Sequence, residues 1–464
     1  MGFDKENGVM AGATAIILAA GSGTRMKSER PKVVHEVLGK PLIRWVVDAA
    51  RAAGAEQIIC VLGHGREMVE PLVEGDTTIV VQLEQKGTAD AVAVCRNAVS
   101  DQAQSVLVLN GDCPLVTPET LADLVRARDE SNAGVAVLTM EAPDPHGYGR
   151  IIRDAGGMVE RIVEQKDCDE VQNAITECNS GFYCFDSSML FDALSRVNSN
   201  NSQNEFYLTD VVHIARGDGR AAIGVKASNV DECLGVNTRI QLAEATKIIQ
   251  RRINYAHMLA GVTIIDPDQA WIGPEVVLEQ DVEIWPQTML SGSTRIGKGS
   301  SVGPNSRLRD TVVGTYCTVE ETVAIEAQIG NGCSCGPRAY LRPGACLMDG
   351  AKAGTHVEIK KSVVGEGSKV PHLSYIGDAT IGSGVNIGAG TITCNYDGVN
   401  KSATVIGDNT FIGSDTMLVA PVSVGSDVVV GAGSVITEDV PDGALALGRA
   451  RQTVKADYHK KAEG

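Results

Sequence analysis

Ile406-Gly407-Asp408-Asn409-Thr410-Phe411-Ile412-Gly413-Ser414-Asp415-Thr416-Met417-Leu418 puts an aliphatic residue at every sixth position, and the step continues through Val424, Val430 and Ile436. Glycine follows directly at 407, 413, 425 and 431. The same step runs through Leu341, Leu347, Ala353 and Ile359, through Val364, Val370 and Ile376, and through Ile381 and Ile387. A period of six matches neither a helix nor a simple alternating strand. It predicts a parallel β-helix, in which each short strand sends one side chain inward and stacked coils share one core. The repeat is clear back to Ile296-Gly297 and irregular near residues 271–273. It breaks once, across Thr393-Cys394-Asn395-Tyr396-Asp397-Gly398-Val399-Asn400-Lys401. Ile387 to Ile406 is one residue longer than three sixes, so a loop is expected to leave the coil there. Loops on solenoids usually carry function.

Ahead of the repeat the pattern changes to one helix over residues 237–260. Leu242, Ala245, Ile249, Ile253, Ala256 and Leu259 keep three-to-four spacing, Asn237 or Thr238 can cap it, and Gly261 can end it. About 22 such residues would span roughly 33 Å, enough to hold two domains apart. Residues 14–236 alternate strand-like and helix-like runs, which implies a mostly parallel sheet with helices on both faces. Ligands of such sheets bind at the carboxyl ends of strands, where the turns at 19–25 and 110–114 lie. The expected domains are therefore 1–236, a linker helix 237–260, and 261–464.

A chain of 464 residues supports two or three domains, and 51 glycines with only 4% aromatics suit a repeat of small residues. The net charge of −17 disfavours a nucleic-acid partner and makes every well-placed cation informative. Apolar stretches are short and interrupted, so no membrane span is expected, and residues 1–11 lack the apolar core of a secretory signal. Glu6 stands where a myristoylation site needs Ser or Thr. The twelve cysteines are scattered, and Cys333-Ser334-Cys335 has no second pair at zinc spacing. Buried reduced thiols and a cytoplasmic location are the expectation.

The first strand runs into Leu18-Ala19-Ala20-Gly21-Ser22-Gly23-Thr24-Arg25-Met26, with Pro31-Lys32 close behind. Gly21 and Gly23 let backbone N–H groups approach phosphates, and Arg25 and Lys32 supply the charge a triphosphate needs. Met26 occupies the place of the third glycine of a dinucleotide fingerprint, which disfavours NAD. Asp112 ends a downstream strand beside this loop, and joined to Arg25 and Pro31-Lys32 it makes a compound signal.

This compound pattern resembles the sugar-nucleotide pyrophosphorylases. More closely, the chain is similar to the bacterial bifunctional enzymes that join an N-acetylglucosamine-1-phosphate uridylyltransferase to a glucosamine-1-phosphate acetyltransferase. The resemblance runs from about residue 15 to 452 and includes Gln82 with Gln85-x-Gly87-Thr88, Gly147-Tyr148-Gly149-Arg150, Val163-Glu164-x-Lys166, Asn179-x-Gly181 and Gly235-Val236-Asn237. It implies an α/β Rossmann-like nucleotidyltransferase domain, then a left-handed parallel β-helix of hexapeptide repeats, assembled as a homotrimer. It further implies that Leu18, Ala19, Ala20, Gly21, Lys32, Gln82, Gly87 and Thr88 contact the uridine nucleotide. Gly149, Glu164 and Asn179 would hold the sugar, and Asp112 with Asn237 would bind Mg²⁺. Two departures stand out. Ser22 replaces a lysine common between the glycines, and Asn110 stands where an aromatic residue is common.

In the β-helix the resemblance makes His372, within Val370-Pro371-His372-Leu373-Ser374-Tyr375, the general base. As a side-chain class, imidazole exchanges a proton near neutral pH. Asn386 and the backbone near Ala389 would orient the sugar and the oxyanion. Arg342 and Lys360 would clamp the sugar phosphate, with Tyr375 adding a hydrogen bond. Asn395, Tyr396, Ser414, Ala432 and Arg449 match the acetyl-CoA track, and UTP and acetyl-CoA would be the co-substrates. The proline usual before Gln452 is missing, and Lys455, His459, Lys460 and Lys461 read as a solvated tail.

Three readings follow: the bifunctional enzyme, a single-activity sugar-1-phosphate nucleotidyltransferase whose β-helix serves only assembly, and a non-catalytic regulatory subunit. His372, Lys360, Asn386 and the Asn395-Tyr396 loop separate the first from the second, because an assembly prism needs none of them. Arg25, Lys32 and Asp112 disfavour the third.

Overall fold

The computed structural model describes residues 12–21, 23–142 and 144–458. Ser22, His459, Lys460, Lys461 and the N-terminal stretch 1–11 lie outside the described residues. The chain divides into two compact units, Met1–Ile249 and Gln250–Gly464.

The first unit is built on a twisted sheet. Its order is Ala222–Lys226, Val135–Glu141, Glu177–Asp186, Ser105–Asn110, Ala13–Ala19, Gln57–Leu62 and Thr78–Val81. Ala13–Ala19 is central and buried on both faces, as its unbroken apolar run requires of a parallel strand covered by helices. It pairs in parallel with Gln57–Leu62 and with Ser105–Asn110, setting Leu18 opposite Asn110. Glu177–Asp186 runs antiparallel to both neighbours, so the sheet is mixed. Nothing in the alternation of runs announced that reversal.

Helix Arg239–Leu259 carries the chain across the division between the units. Thr238 caps it: its Oγ1 accepts from Gln241 N at 3.2 Å, and Gln241 Oε1 accepts from Thr238 N at 3.1 Å. Of the expected apolar stripe, Ala245 and Ile249 are buried but Ala256 and Leu259 are exposed. Gln250 and Asn254 replace them as the buried face. Their amides donate to Ala270 O at 2.6 and 3.0 Å, and Asn254 also reaches Pro267 O at 2.8 Å. Polar side chains win these positions because the adjoining loop presents buried carbonyls that need donors.

The second unit is a left-handed parallel β-helix whose strands stack into three sheets of 11, 10 and 9 strands among the described residues. Ile406 pairs with Val424, Ile412 with Val430 and Leu418 with Ile436, one pair per sheet, and all six are buried. The glycines after these residues are set by coil spacing, since a Cβ on Gly407 or Gly413 would lie 2.5 or 2.4 Å from backbone nitrogen of the next coil. Buried hydroxyls complete the corners. Ser368 Oγ donates to Gly382 O at 2.6 Å and accepts from Val385 N at 2.9 Å, and Thr410 does the same toward Gly425 and Val428. The coils begin at Thr263–Ile264, ahead of the clear repeat. The loop is also longer than one residue beyond three sixes. Ile381 pairs with Ile406 and Ile387 with Ile412, so residues 395–403 leave the coil between matched strands.

Candidate functional site

In the first unit the carboxyl ends of two central strands meet. Gly111 N donates to Leu18 O at 2.9 Å, which holds Asn110-Gly111-Asp112 against the turn at Ala19-Ala20-Gly21. Gly23 has φ +61°, and a Cβ there would sit 2.6 Å from Lys32 Cβ, so the Lys32 stem packs directly on this glycine. Its ammonium donates to Asp112 Oδ2 and, at 2.8 Å, to Asn237 Oδ1. Arg25 Nη2 donates to the same Asn237 oxygen at 2.8 Å. Because Thr238 is the cap, the Asn237 side chain is free to face this cluster. Val236 N donates to Asp112 O at 2.8 Å and ties the segment before the helix to the turn at Asp112. Two side-chain oxygens converging on one cation fit a divalent-metal site, with Lys32 standing where a cation belongs. Among the described residues no group of three or more His, Cys, Asp or Glu is placed to hold a metal ion.

A second cluster lies beside Ala20, where a Cβ on Gly63 would fall 2.8 Å from Ala20 Cβ and 2.9 Å from Gln85 Nε2. The buried Gln82 amide donates to Gly87 O at 3.2 Å and to Asp90 Oδ2 at 2.7 Å. Thr88 Oγ1 accepts from Leu208 N at 3.0 Å. The third cluster holds Gly149, Glu164 and Asn179. Asn179 N donates to Gly149 O at 2.9 Å, its Nδ2 to Tyr183 Oη at 2.6 Å, and its Oδ1 accepts from Gly181 N at 3.0 Å. Burial pushes the Glu164 carboxyl above its ordinary range, against the opposing Thr209 hydroxyl. Burial likewise raises the buried Tyr183 hydroxyl, with the Glu164 charge adding to it. The Asn110 departure has a local reason: a Cβ on Gly181 would come 2.4 Å from Asn110 Nδ2, so the short amide tucks over this glycine.

In the β-helix the candidates separate onto two edges. Thr355 pairs with His372, and Lys369 with Asn386, so His372 and Ala389 hold matching places at one corner of successive coils. The registers of Ile387 with Ile412 and Ile412 with Val430 extend that column through Ser414 to Ala432. Arg449 reaches its end, with Cδ 4.0 Å from where a Gly433 Cβ would be. His372 is exposed, and Leu373, with φ +48°, turns the chain outward after it. The next face stacks Glu358 on Tyr375 and Lys360 on Gly377. Arg342 Nη1 bonds Glu358 Oε1 at 2.8 Å, and that bond raises the guanidinium further. A Cβ on Gly377 would lie 2.5 Å from Tyr375 Oη and 2.8 Å from Asn395 Nδ2, so this glycine lets both groups lie over the sheet. Asn395 donates to Asp378 Oδ2, which also faces Lys360 Nζ at 3.9 Å. Tyr396 stands exposed on the loop, which Asp397 folds by accepting from Val399 N and Asn400 N. Asn395 and Tyr396 thus do not share an edge with Ala389, Ser414 and Ala432 within one chain.

Sequence reasoning missed Glu358, Asp378, Thr209 and Cys113, whose thiol lies 3.6 Å from Asp112 Oδ1. Each is a single residue without a spacing signature; only the outward position before Ile359 in the six-residue frame pointed toward the first.

A nucleotidyl transferase family model matches residues 14–230, and a model of the bacterial transferase hexapeptide (six repeats) matches residues 403–438. The bifunctional protein GlmU of Heliobacterium modesticaldum is 49% identical over 445 residues, covering 96% of this chain and 97% of that protein. The bifunctional protein GlmU of Carboxydothermus hydrogenoformans is also 49% identical over 445 residues, covering 96% and 99%. That of Halalkalibacterium halodurans is 45% identical over 452 residues, covering 97% and 99%. With both units matched end to end at this identity, the chain belongs to the family of bifunctional GlmU proteins.

Proposed function

We infer that the chain makes UDP-N-acetylglucosamine by two transfers, one in each unit. It is an acetyltransferase acting on glucosamine 1-phosphate and a uridylyltransferase acting on N-acetylglucosamine 1-phosphate. The observation that carries this reading is the presence, in one chain, of a carboxylate–amide pair closed on a cation beside a glycine-rich loop and of an edge column headed by His372.

In the β-helix, His372 takes a proton from the sugar ammonium, and the freed amine attacks the thioester carbon of acetyl-CoA. The C–N bond forms, the C–S bond breaks, and coenzyme A leaves as the thiol. Asn386 and the backbone near Ala389 face the developing oxyanion. Arg342, Lys360 and Tyr375 hold the phosphate, and Asn395, Tyr396, Ser414, Ala432 and Arg449 hold the acyl donor. Because one edge carries His372, Ser414 and Ala432 while Arg342, Lys360, Tyr375, Asn395 and Tyr396 gather at another edge of the same prism, a homotrimer in which edges of adjacent copies meet is the assembly this chemistry calls for.

In the first unit the phosphate oxygen of the acetylated sugar attacks the α-phosphorus of UTP in line, and pyrophosphate departs. Leu18, Ala19, Ala20, Gly21, Gln82, Gly87 and Thr88 hold the nucleotide; Gly149, Glu164 and Asn179 hold the sugar. Arg25 and Lys32 offset the charge that builds on the phosphates. Mg²⁺, held by Asp112 and Asn237, would supply further neutralisation of the triphosphate oxygens. All twelve cysteines are free thiols, and among the described residues no helix is long and apolar enough to cross a membrane. A cytoplasmic site of action, where thiols stay reduced, completes the proposal.

The test supplies glucosamine 1-phosphate, acetyl-CoA, UTP and Mg²⁺ to the purified chain and identifies each product by mass. Free coenzyme A, pyrophosphate and UDP-N-acetylglucosamine in equal amounts are expected at completion. A nucleotide sugar that forms without coenzyme A release would remove the acetyltransferase.

A further inference from the structure

Lys32 is assigned above to the nucleotide phosphates, yet its ammonium bonds two side chains of this same site. It donates to Asp112 Oδ2 and to Asn237 Oδ1, the two oxygens read as metal ligands. The arrangement is built in. The Lys32 stem rests on Gly23, which has no room for a Cβ, and Pro31 is packed so tightly that a Cβ on Gly65 would come 2.4 Å from its Cγ. Asn237 is held from behind by its own N–H, which donates to Gln241 Oε1 at 2.8 Å. Lys32 and Asp112 are both largely shielded, with side chains 18% and 14% exposed. Arg25 touches the same Asn237 oxygen but makes no contact with Asp112 among the bonds formed here.

An ammonium and a divalent ion need the same lone pairs, and two positive charges within a few ångströms repel strongly in a shielded site. A triphosphate changes this balance by offering the ammonium anionic oxygens of its own. We propose that Lys32 is the resident counter-cation of the metal ligands, and that its transfer to the nucleotide phosphates opens Asp112 and Asn237 to the divalent ion. Metal and nucleotide then favour each other's binding by one and the same factor, because linkage is reciprocal. This inference rests on the metal-ligand reading of Asp112 and Asn237.

The experiment measures Mn²⁺ binding to the full chain without nucleotide, by the paramagnetic resonance signal of the free ion. Wild type is compared with Lys32→Met, Lys32→Gln, Arg25→Met and the double variant Lys32→Met/Asp112→Asn, each checked for a cooperative melt. Removing Lys32 should tighten Mn²⁺ by at least about ten-fold, with Met and Gln alike. Arg25→Met removes the same charge but should change affinity by less than about three-fold. The Asp112→Asn change should abolish the gain. If Lys32→Met binds Mn²⁺ no better than Arg25→Met, while Asp112→Asn still weakens binding, the counter-cation role is wrong and the metal reading stands. If Asp112→Asn changes nothing in the Lys32→Met background, the metal reading fails and takes the inference with it.

Discussion

Glu164 is half-buried beside Thr209, and burial holds its carboxyl above the usual glutamate range. A raised folded value means that the fold favours the protonated form. That preference stabilises the first unit fully below the ordinary glutamate range, and it is lost as pH rises through the raised value. Glutamine mimics the neutral form at every pH. Glu164→Gln should therefore melt close to wild type at acid pH and higher than wild type at neutral and alkaline pH, by thermal scans across the range. The same change should raise KM for N-acetylglucosamine 1-phosphate about ten-fold, the order expected when a charged acceptor for a sugar hydroxyl becomes neutral. A purely structural Glu164 would leave KM alone. Residues of this kind show how far sequence reaches: Glu164 and Asn179 stand out only through the family motif, whereas Arg25, Lys32 and Asp112 carry their own physical case. Thr209 touches Glu164 from a distant segment, and no spacing could have announced it.

The elements themselves were legible to very different degrees. The six-residue step named the inward residues because each coil repeats one geometry, and every repeat residue from Leu341 to Ile436 named from it is buried. The glycines were legible too, with a reason visible only in three dimensions. Coils stack too closely at Gly413 for a side chain, a Cβ there falling 2.4 Å from Ala432 N. Gly413→Ala should destabilise the second unit by about 1–3 kcal/mol through overpacking, read as a lower melting temperature of the β-helix. An unchanged melt would mean that neighbouring coils shift freely. The loop was located but its length misjudged, because counting from Ile387 to Ile406 assumed neighbours where the register sets Ile381 against Ile406. The helix runs over Arg239–Leu259, and its second half turns Gln250 and Asn254 inward, since carbonyls that need donors outweigh apolar spacing there. The antiparallel strand Glu177–Asp186 left no trace in the pattern of runs, because strand direction is a property of connections rather than of composition.

At the scale of the whole molecule, two chemistries share one chain without sharing residues. In the proposed assignment the uridylyl site would use groups from Leu18 to Asn237, and the acetyl site groups from Arg342 to Arg449. An intermediate made in one unit must then travel to a site in another, and nothing in either site requires that the second site belong to the same chain. The most direct test mixes two variants, each disabled in one unit: Asp112→Ala and His372→Ala. Given glucosamine 1-phosphate, acetyl-CoA, UTP and Mg²⁺, Asp112→Ala alone should accumulate N-acetylglucosamine 1-phosphate, and His372→Ala alone should make neither product. The mixture should form UDP-N-acetylglucosamine after a lag in which the intermediate builds up. Loss of acetyl transfer in folded Asp112→Ala, failure of folded His372→Ala to uridylylate added N-acetylglucosamine 1-phosphate, or complete conversion by one variant alone, would contradict the assignment of one reaction to each unit.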